Sequence, residues 1–279
     1  ILVNNPNYNY SGNSVFASLD VSSTDRSTSS GFKSSKTGFD LGTSFEQYEN
    51  FYVAPNISLA FEDIEVDSTA STAVKNMEGN FFNVDLGYNL TKDDRNQRYK
   101  PTSGKKITFT QSIPIIQDSS SLLNGLDVSA YHDFSDDLIG SLKFHSRAIN
   151  GIDEDVRLTE RLYLPRSRLR GFNTYKVGPK DGDDYIGGNY TTTLNFEAQL
   201  PNLLPESYRT DFGFFLDTAN IWGVDYTGVD ETNTIRSSVG VSANIFTTIG
   251  PLSFTLAQDL SKANTDETET FNFRLGTSF

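Results

Sequence analysis

Phe271-Asn272-Phe273-Arg274-Leu275-Gly276-Thr277-Ser278-Phe279 closes the chain, and its reading decides the fold. Successive side chains of a strand point to opposite faces. Phe271, Phe273, Leu275, Thr277 and Phe279 therefore share one face, and Asn272, Arg274, Gly276 and Ser278 the other. A strand that is greasy on one side, polar on the other and finished by an aromatic fits the closing strand of a membrane β-barrel. Its greasy face meets lipid and its polar face a wet lumen. The competing reading is an edge strand of a soluble sandwich.

Working back from that strand, the same period of two recurs. The apolar sets are Val15, Ala17, Leu19, Val21; Phe39, Leu41, Thr43, Phe45; Val53, Ile57, Leu59, Phe61; Phe82, Val84, Leu86, Tyr88, Leu90; Ile107, Phe109, Ile113, Ile115; Leu126, Val128, Ala130; and Leu138, Leu142, Phe144, Ala148. After a long polar stretch come Leu194, Phe196, Ala198, Leu200; Phe212, Phe214, Leu216; Ile235, Val239, Val241, Ala243, Ile245; and Leu252, Phe254, Leu256, Leu260. The intervening positions carry Asn, Asp, Ser, Thr and Gly. A sandwich would pack its second face with apolar side chains, whereas a hydrated lumen suits these residues. The pattern predicts an all-β, antiparallel transmembrane barrel wall of about twelve strands. Connections alternate between tight turns, as at Phe134-Ser135-Asp136-Asp137 and Thr248-Ile249-Gly250-Pro251, and long polar loops at 63–79, 149–189 and 223–234. Barrels polarise their loops in this way, with short turns at one rim and long loops at the other.

Composition narrows the function. The 279 residues include no Cys, which excludes disulfides and thiolate metal sites, and only two His, His132 and His145. The formal net charge of −13 argues against a nucleic-acid partner. A mean hydropathy of −0.41 and the lack of any long apolar run exclude a membrane helix, but not a barrel, whose alternation dilutes hydropathy. No G-x-S-x-G elbow accompanies His145, and Asp181-Gly182-Asp183-Asp184 lacks the spaced ligands of a calcium loop. No catalytic residue, metal or cofactor is expected. The chain starts at Ile1 without a basic and apolar leader, so the expectation is the C-terminal part of a longer secreted protein.

The longest loop holds Leu164-Pro165-Arg166-Ser167-Arg168-Leu169-Arg170-Gly171-Phe172, followed by Val177-Gly178-Pro179-Lys180. Gly171 permits a turn that a Cβ would forbid. Arg170 is a planar five-donor cation suited to carboxylates. By parity Glu197 and Asp217 face the lumen on the next two strands. A loop folded back into the barrel could set Arg170 against both.

These residues resemble a known signature. Arg168-Leu169-Arg170-Gly171-Phe172 resembles the (V/I/L)RGF motif of the inward-folded loop of BamA-type outer-membrane assembly factors. That superfamily also includes mitochondrial sorting and assembly barrels, TamA-type translocation barrels and two-partner secretion transporters. Asp94-Arg95-Asn96 with Pro101-Thr102-Ser103-Gly104 is similar to the family's D-R-N…P-T-x-G turn. Asn4-Asn5-Pro6-Asn7-Tyr8 is similar to its N-P-(Y/N)-(F/Y) turn. Leu194-Asn195-Phe196-Glu197 and Phe214-Phe215-Leu216-Asp217 resemble the strands bearing acidic partners of the loop arginine, and Ile235-Arg236-Ser237-Ser238-Val239-Gly240-Val241 continues the likeness. The resemblance is dense from Asp94 to Phe279 and weaker before it.

What it implies is a barrel of about sixteen strands whose first strands and periplasmic POTRA domains lie outside residues 1–279. It implies a place in the outer membrane of a Gram-negative bacterium, among outer-membrane lipids, nascent barrel clients and accessory lipoproteins held by POTRA domains. The implied function is folding and insertion of barrel proteins through a lateral gate that templates client strands. A polypeptide-secreting transporter of the same superfamily is the alternative. A diffusion porin would lack the R-G-F loop. Phe271, Phe273, Leu275, Gly276 and Phe279 would form one edge of the seam, and Gly276 would weaken it. Arg168, Leu169, Arg170, Gly171, Phe172, Glu197 and Asp217 would clamp the loop. A purely structural clamp is the plainer reading of that last set.

Overall fold

Period-two alternation becomes strand after strand. The computed structural model describes residues 1–118, 120–201, 203–205, 210–247 and 250–275. Its strands are β1 (Leu2–Asn5), β2 (Ser14–Arg26), β3 (Phe32–Tyr48), β4 (Phe51–Val66), β5 (Gly79–Asp93), β6 (Gly104–Gln117), β7 (Ser121–Ser135) and β8 (Leu138–Gly151). There follow β9 (Lys180–Asp181), β10 (Asp184–Tyr185), β11 (Tyr190–Leu200), β12 (Thr210–Trp222), β13 (Arg236–Thr247), β14 (Gly250–Ser261) and β15 (Phe271–Leu275). Apart from the β9–β10 ribbon, they form one 13-stranded antiparallel sheet in chain order. Among the described residues β1 and β15 do not pair, so the sheet is a curved wall with two free edges. The helices α1 (Ser27–Ser30) and α2 (Thr72–Lys75) are single turns.

The wall has thirteen strands where the alternation predicts about twelve. The additional one, β1, is a four-residue strand ending where the Asn-Pro turn begins, too short to show a period. Several strands also run further than their greasy segments. β3 begins at Phe32, seven residues before Phe39, and β4 continues to Val66. These polar extensions rise past the apolar band toward the long loops. There Phe32, Ile64, Ala70, Val74, Leu158 and Ile186 pack into a buried cap. The rim polarity is not strict: on the short-turn side residues 6–13 and 94–103 make eight- and ten-residue connections, on the long-loop side residues 27–31 join β2 to β3 closely, and Lys100 ion-pairs with Asp211 on β12.

Strand β12 shows how the two faces divide. Gly213, Phe215, Asp217, Ala219 and Ile221 are buried, whereas Phe214 and Leu216 lie exposed on the other face. Phe214 is 57% exposed, beside Phe196, Leu194, Val239 and Val241, which are also exposed. This outer apolar band is the surface that lipid would cover. Tyr190 and Trp222 stack at its loop-side rim with ring centroids 5.7 Å apart, as in an interfacial aromatic girdle. No described helix is long and apolar enough to cross a membrane, which says nothing against crossing by strands.

Gly276 and Phe279 lie outside the described residues. In the described part of the last strand, Phe271, Phe273 and Leu275 point to the outer face and are exposed. β15 pairs with β14 over Leu252–Leu256 and runs from the long-loop rim toward the short-turn rim.

Candidate functional site

Residues 152–189 do not project from the barrel. They fold against the inner face of β7, β11, β12, β13 and β14, where the polar side of each strand supplies partners. Leu164, Leu169, Phe172 and Val177 of the loop bury against Ala219 and Ile221 of the wall, and this apolar plug fixes the depth of the loop. Between Leu169 and Phe172 stands Arg170.

Arg170 meets Asp217 through two parallel bonds. Nε donates to Oδ2 at 2.7 Å and Nη2 to Oδ1 at 2.8 Å, while the Arg170 backbone N–H donates to Oδ2 at 3.1 Å. Asn195 completes the carboxylate shell: its Nδ2 donates to Asp217 Oδ1 at 2.8 Å and to the Arg168 carbonyl at 2.7 Å. The Asp217 side chain is 0% exposed and that of Arg170 17%. Glu197 stands further off, with Oε2 3.5 Å from Arg170 Nη1, and accepts from Ser242 Oγ at 3.3 Å. Fork geometry in a dry setting is where an arginine–carboxylate pair is strongest. Burial opposes the charge on Arg170, but hydrogen bonds and attraction from Asp217, then Glu197, outweigh it, and its pKa is raised.

The flat face of the guanidinium is used as well. Arg170 Cζ lies 3.6 Å from the centroid of Phe215, a cation–π stack. Phe215 in turn lies over Gly240, its partner across β12 and β13. A Cβ at Gly240 would sit 2.5 Å from the Phe215 ring and 2.1 Å from the Leu256 carbonyl oxygen. Gly240→Val should therefore lift Phe215 and tilt Arg170 off Asp217. The expected loss is about 1–3 kcal/mol, typical of overpacking, measured by denaturant unfolding in lipid vesicles. A Val variant as stable as the parent would show that the stack does not support the clamp.

The remaining signature residues have separate tasks. Gly171 adopts φ +87°, and a Cβ there would come within 2.8 Å of Ala257 on β14, so glycine lets the loop touch the wall. Leu169 and Phe172 are plug residues. The Arg168 backbone carbonyl is tied to the Asp217 clamp through Asn195, but its side chain turns elsewhere. It reaches Asp127 on β7 at 3.2 Å, a carboxylate that also meets Arg147 and, at 2.7 Å, His145 Nδ1. Asp127 and His145, paired across β7 and β8, thus form a second anchor of the loop. The run Asp181–Asp184 is the β9–β10 hairpin, and among the described residues no group of three or more His, Asp or Glu could hold a metal.

Sequence reading missed a third anchor. Arg236 and Asp266, 1% and 0% exposed, form a buried ion pair at 2.9 Å. Arg236 stands in the stretch Ile235–Val241 that resembles a family strand, with nothing in it to name a partner. Asp266 lies in a uniformly polar stretch, Asn264 to Glu269, that gives no sign of which acid turns inward.

The Omp85 superfamily domain matches residues 3–279. The chain is 26% identical over 259 residues to the outer membrane protein assembly factor BamA of Neorickettsia risticii (strain Illinois), covering 89% of this chain and 34% of that protein. It is 25% identical over 170 residues to the sorting and assembly machinery component 50 homolog A of Xenopus laevis, covering 57% of this chain and 36% of that protein. The chain thus spans about a third of the length of these two relatives. In fold it is similar to the crystal structure of BamA from Haemophilus ducreyi lacking POTRA domains 1-3. The TM-score is 0.84 at 19% identity, over 98% of this chain and 60% of that one. CdiB from Acinetobacter baumannii is less similar, with a TM-score of 0.58 at 13% identity over 94% of this chain and 46% of that one. With the Omp85 domain matched over nearly the whole chain, and an antiparallel wall with an R-G-F loop folded against its inner face, the chain belongs to the Omp85 superfamily.

Proposed function

We propose that this chain is the wall and inward loop of an outer-membrane barrel that folds and inserts other barrel proteins, with no bond chemistry of its own. The observation that carries the reading is the bidentate Arg170–Asp217 clamp, buried between an R-G-F loop and the inner wall. It comes with relatives that are named outer membrane protein assembly factors. The working edge is β15. An unpaired strand edge is a hazard in most proteins, but it can template an incoming strand by β-augmentation. The driving free energy comes from burying the client's apolar face in lipid and pairing its backbone.

The second reading is secretion of a polypeptide through the lumen. It is favoured only by the fold shared with CdiB, at lower similarity than with BamA. One reconstitution separates the two. Full-length protein in phospholipid vesicles should accelerate membrane insertion of an unfolded barrel client, scored by protease protection, relative to empty vesicles. Translocation of a soluble passenger into the vesicle lumen without client insertion would establish the secretion reading instead. Neither activity would overturn both.

A further inference from the structure

The connection that launches the last strand, residues 262–270, is bound to the inward loop along its length. Glu267 N–H donates to the Lys176 carbonyl at 3.0 Å, and Asn173 N–H donates to the Glu267 carbonyl at 3.0 Å. Glu269 N–H donates to the Gly171 carbonyl at 2.9 Å, next to the clamp arginine. Asp266 then locks the two segments together. Its carboxylate accepts from Arg236 Nε at 2.9 Å and Nη2 at 3.2 Å, from Gly178 N–H at 3.1 Å and from Ala263 N–H at 2.7 Å. Four donors satisfy a buried carboxylate fully. Tyr185 adds its hydroxyl to the Thr265 carbonyl. Burial, then Glu267 and Asp266, push that phenol up to about 12, so it remains a donor. At the rim Lys176 pairs with Glu267 at 3.0 Å and Arg166 with Glu269 at 3.3 Å.

The strand that follows is held far less. On its lumen face Arg274 is exposed, and Asn272 only reaches back to the connection, Nδ2 donating to Glu269 Oε2 at 3.1 Å. One end of β15 therefore grows from a buried, charge-locked weld that the described lumen-face side chains of the strand do not extend. Local opening follows such differences, starting where buried contacts are few.

We infer that the inward loop is the hinge pin of the last strand. Arg236, Asp266 and Gly178 are positioning residues that fix its loop-side end. The short-turn end is the part that parts from a neighbour or receives a client strand. The inference rests on β15 being the seam strand. It adds a direction to the seam, which opens from the short-turn rim upward, and it assigns the inward loop to the strand's root rather than to the client.

Hydrogen exchange on the full-length protein in vesicles tests the pin without any client. Protection should fall along β15 from Phe271 toward Leu275. Asp266→Asn should raise exchange at Phe271 and Asn272 by roughly a hundredfold and leave β11 untouched. Uniform exchange along β15, or no response to D266N, overturns the inference. A covalent lock then asks about function. Because residues 1–279 contain no Cys, Lys176→Cys with Glu267→Cys introduces one defined disulfide across the weld. Client insertion should be the same oxidised and reduced, since the pinned end does not move. Insertion that stops on oxidation and returns on reduction shows that the weld must release, and a disulfide that fails to form shows that the weld is absent; either overturns the pin. A parent that inserts no client defeats the proposed function, while the exchange gradient still judges the hinge by itself.

Discussion

Arg170→Ala should release the inward loop and cost about 3–5 kcal/mol, the range for removing one partner of a buried pair. The size follows from Asp217, whose side chain is 0% exposed. Its charge would be left with Asn195 and a backbone N–H that depends on the loop remaining in place. Arg170→Lys should recover only part of the loss, because an ammonium can neither fork to both Asp217 oxygens nor stack flat on Phe215. Glu197→Gln should cost less than about 1 kcal/mol, since Glu197 is partly exposed and 3.5 Å from the guanidinium. Unfolding in lipid vesicles gives the stabilities, and proteolysis at Arg166 and Arg168 reports loop release while circular dichroism follows the wall. A loop that stays protected in the Ala variant, with stability within about 1 kcal/mol of the parent, would show that the apolar plug alone holds it. Client insertion should fall with loop release under the proposed function.

The ordering of Asp217 above Glu197 marks the boundary of what the sequence discloses. Parity puts both acids on the lumen face, because a strand's period is two regardless of tertiary context. It cannot say which carboxylate lies at the height of the loop arginine, since that depends on how deep Leu169 and Phe172 sink against Ala219 and Ile221. The wall was legible for the same reason the clamp was half legible: lipid on one side and water on the other force a strict alternation. Legibility fails where that constraint ends. Lys33-Ser34-Ser35-Lys36 is strand, but it stands beyond the apolar band and shows no greasy face. Asp266 is buried among acids that read as a solvated loop, because its partner Arg236 arrives from another strand. The R-G-F motif was found by resemblance, and its geometry explains each letter: a fork for Asp217, a glycine touching β14, an aromatic in the plug.

Leu216→Arg should destabilise the barrel by about 2–4 kcal/mol, the cost of a cationic side chain near the bilayer midplane on a lipid-facing position. Leu216 lies midway along β12, pairs with Phe196 on one side and Val239 on the other, and all three are exposed on the outer face. An exposed leucine flanked by exposed aromatic and branched residues is costly to leave in water but suits a hydrocarbon phase. Arginine at Thr218, the next outward position toward the Tyr190–Trp222 rim, should cost less, because depth governs the penalty. The neighbouring inward position supplies the contrast in chemistry. Asp217 is accommodated on the same strand because the wall turns it toward the donors of Arg170 and Asn195. Equilibrium folding into phospholipid vesicles measures both variants against the parent. If Leu216→Arg costs no more than Thr218→Arg, this face does not meet the membrane core, and the division of β12 into a lipid side and a lumen side fails with it.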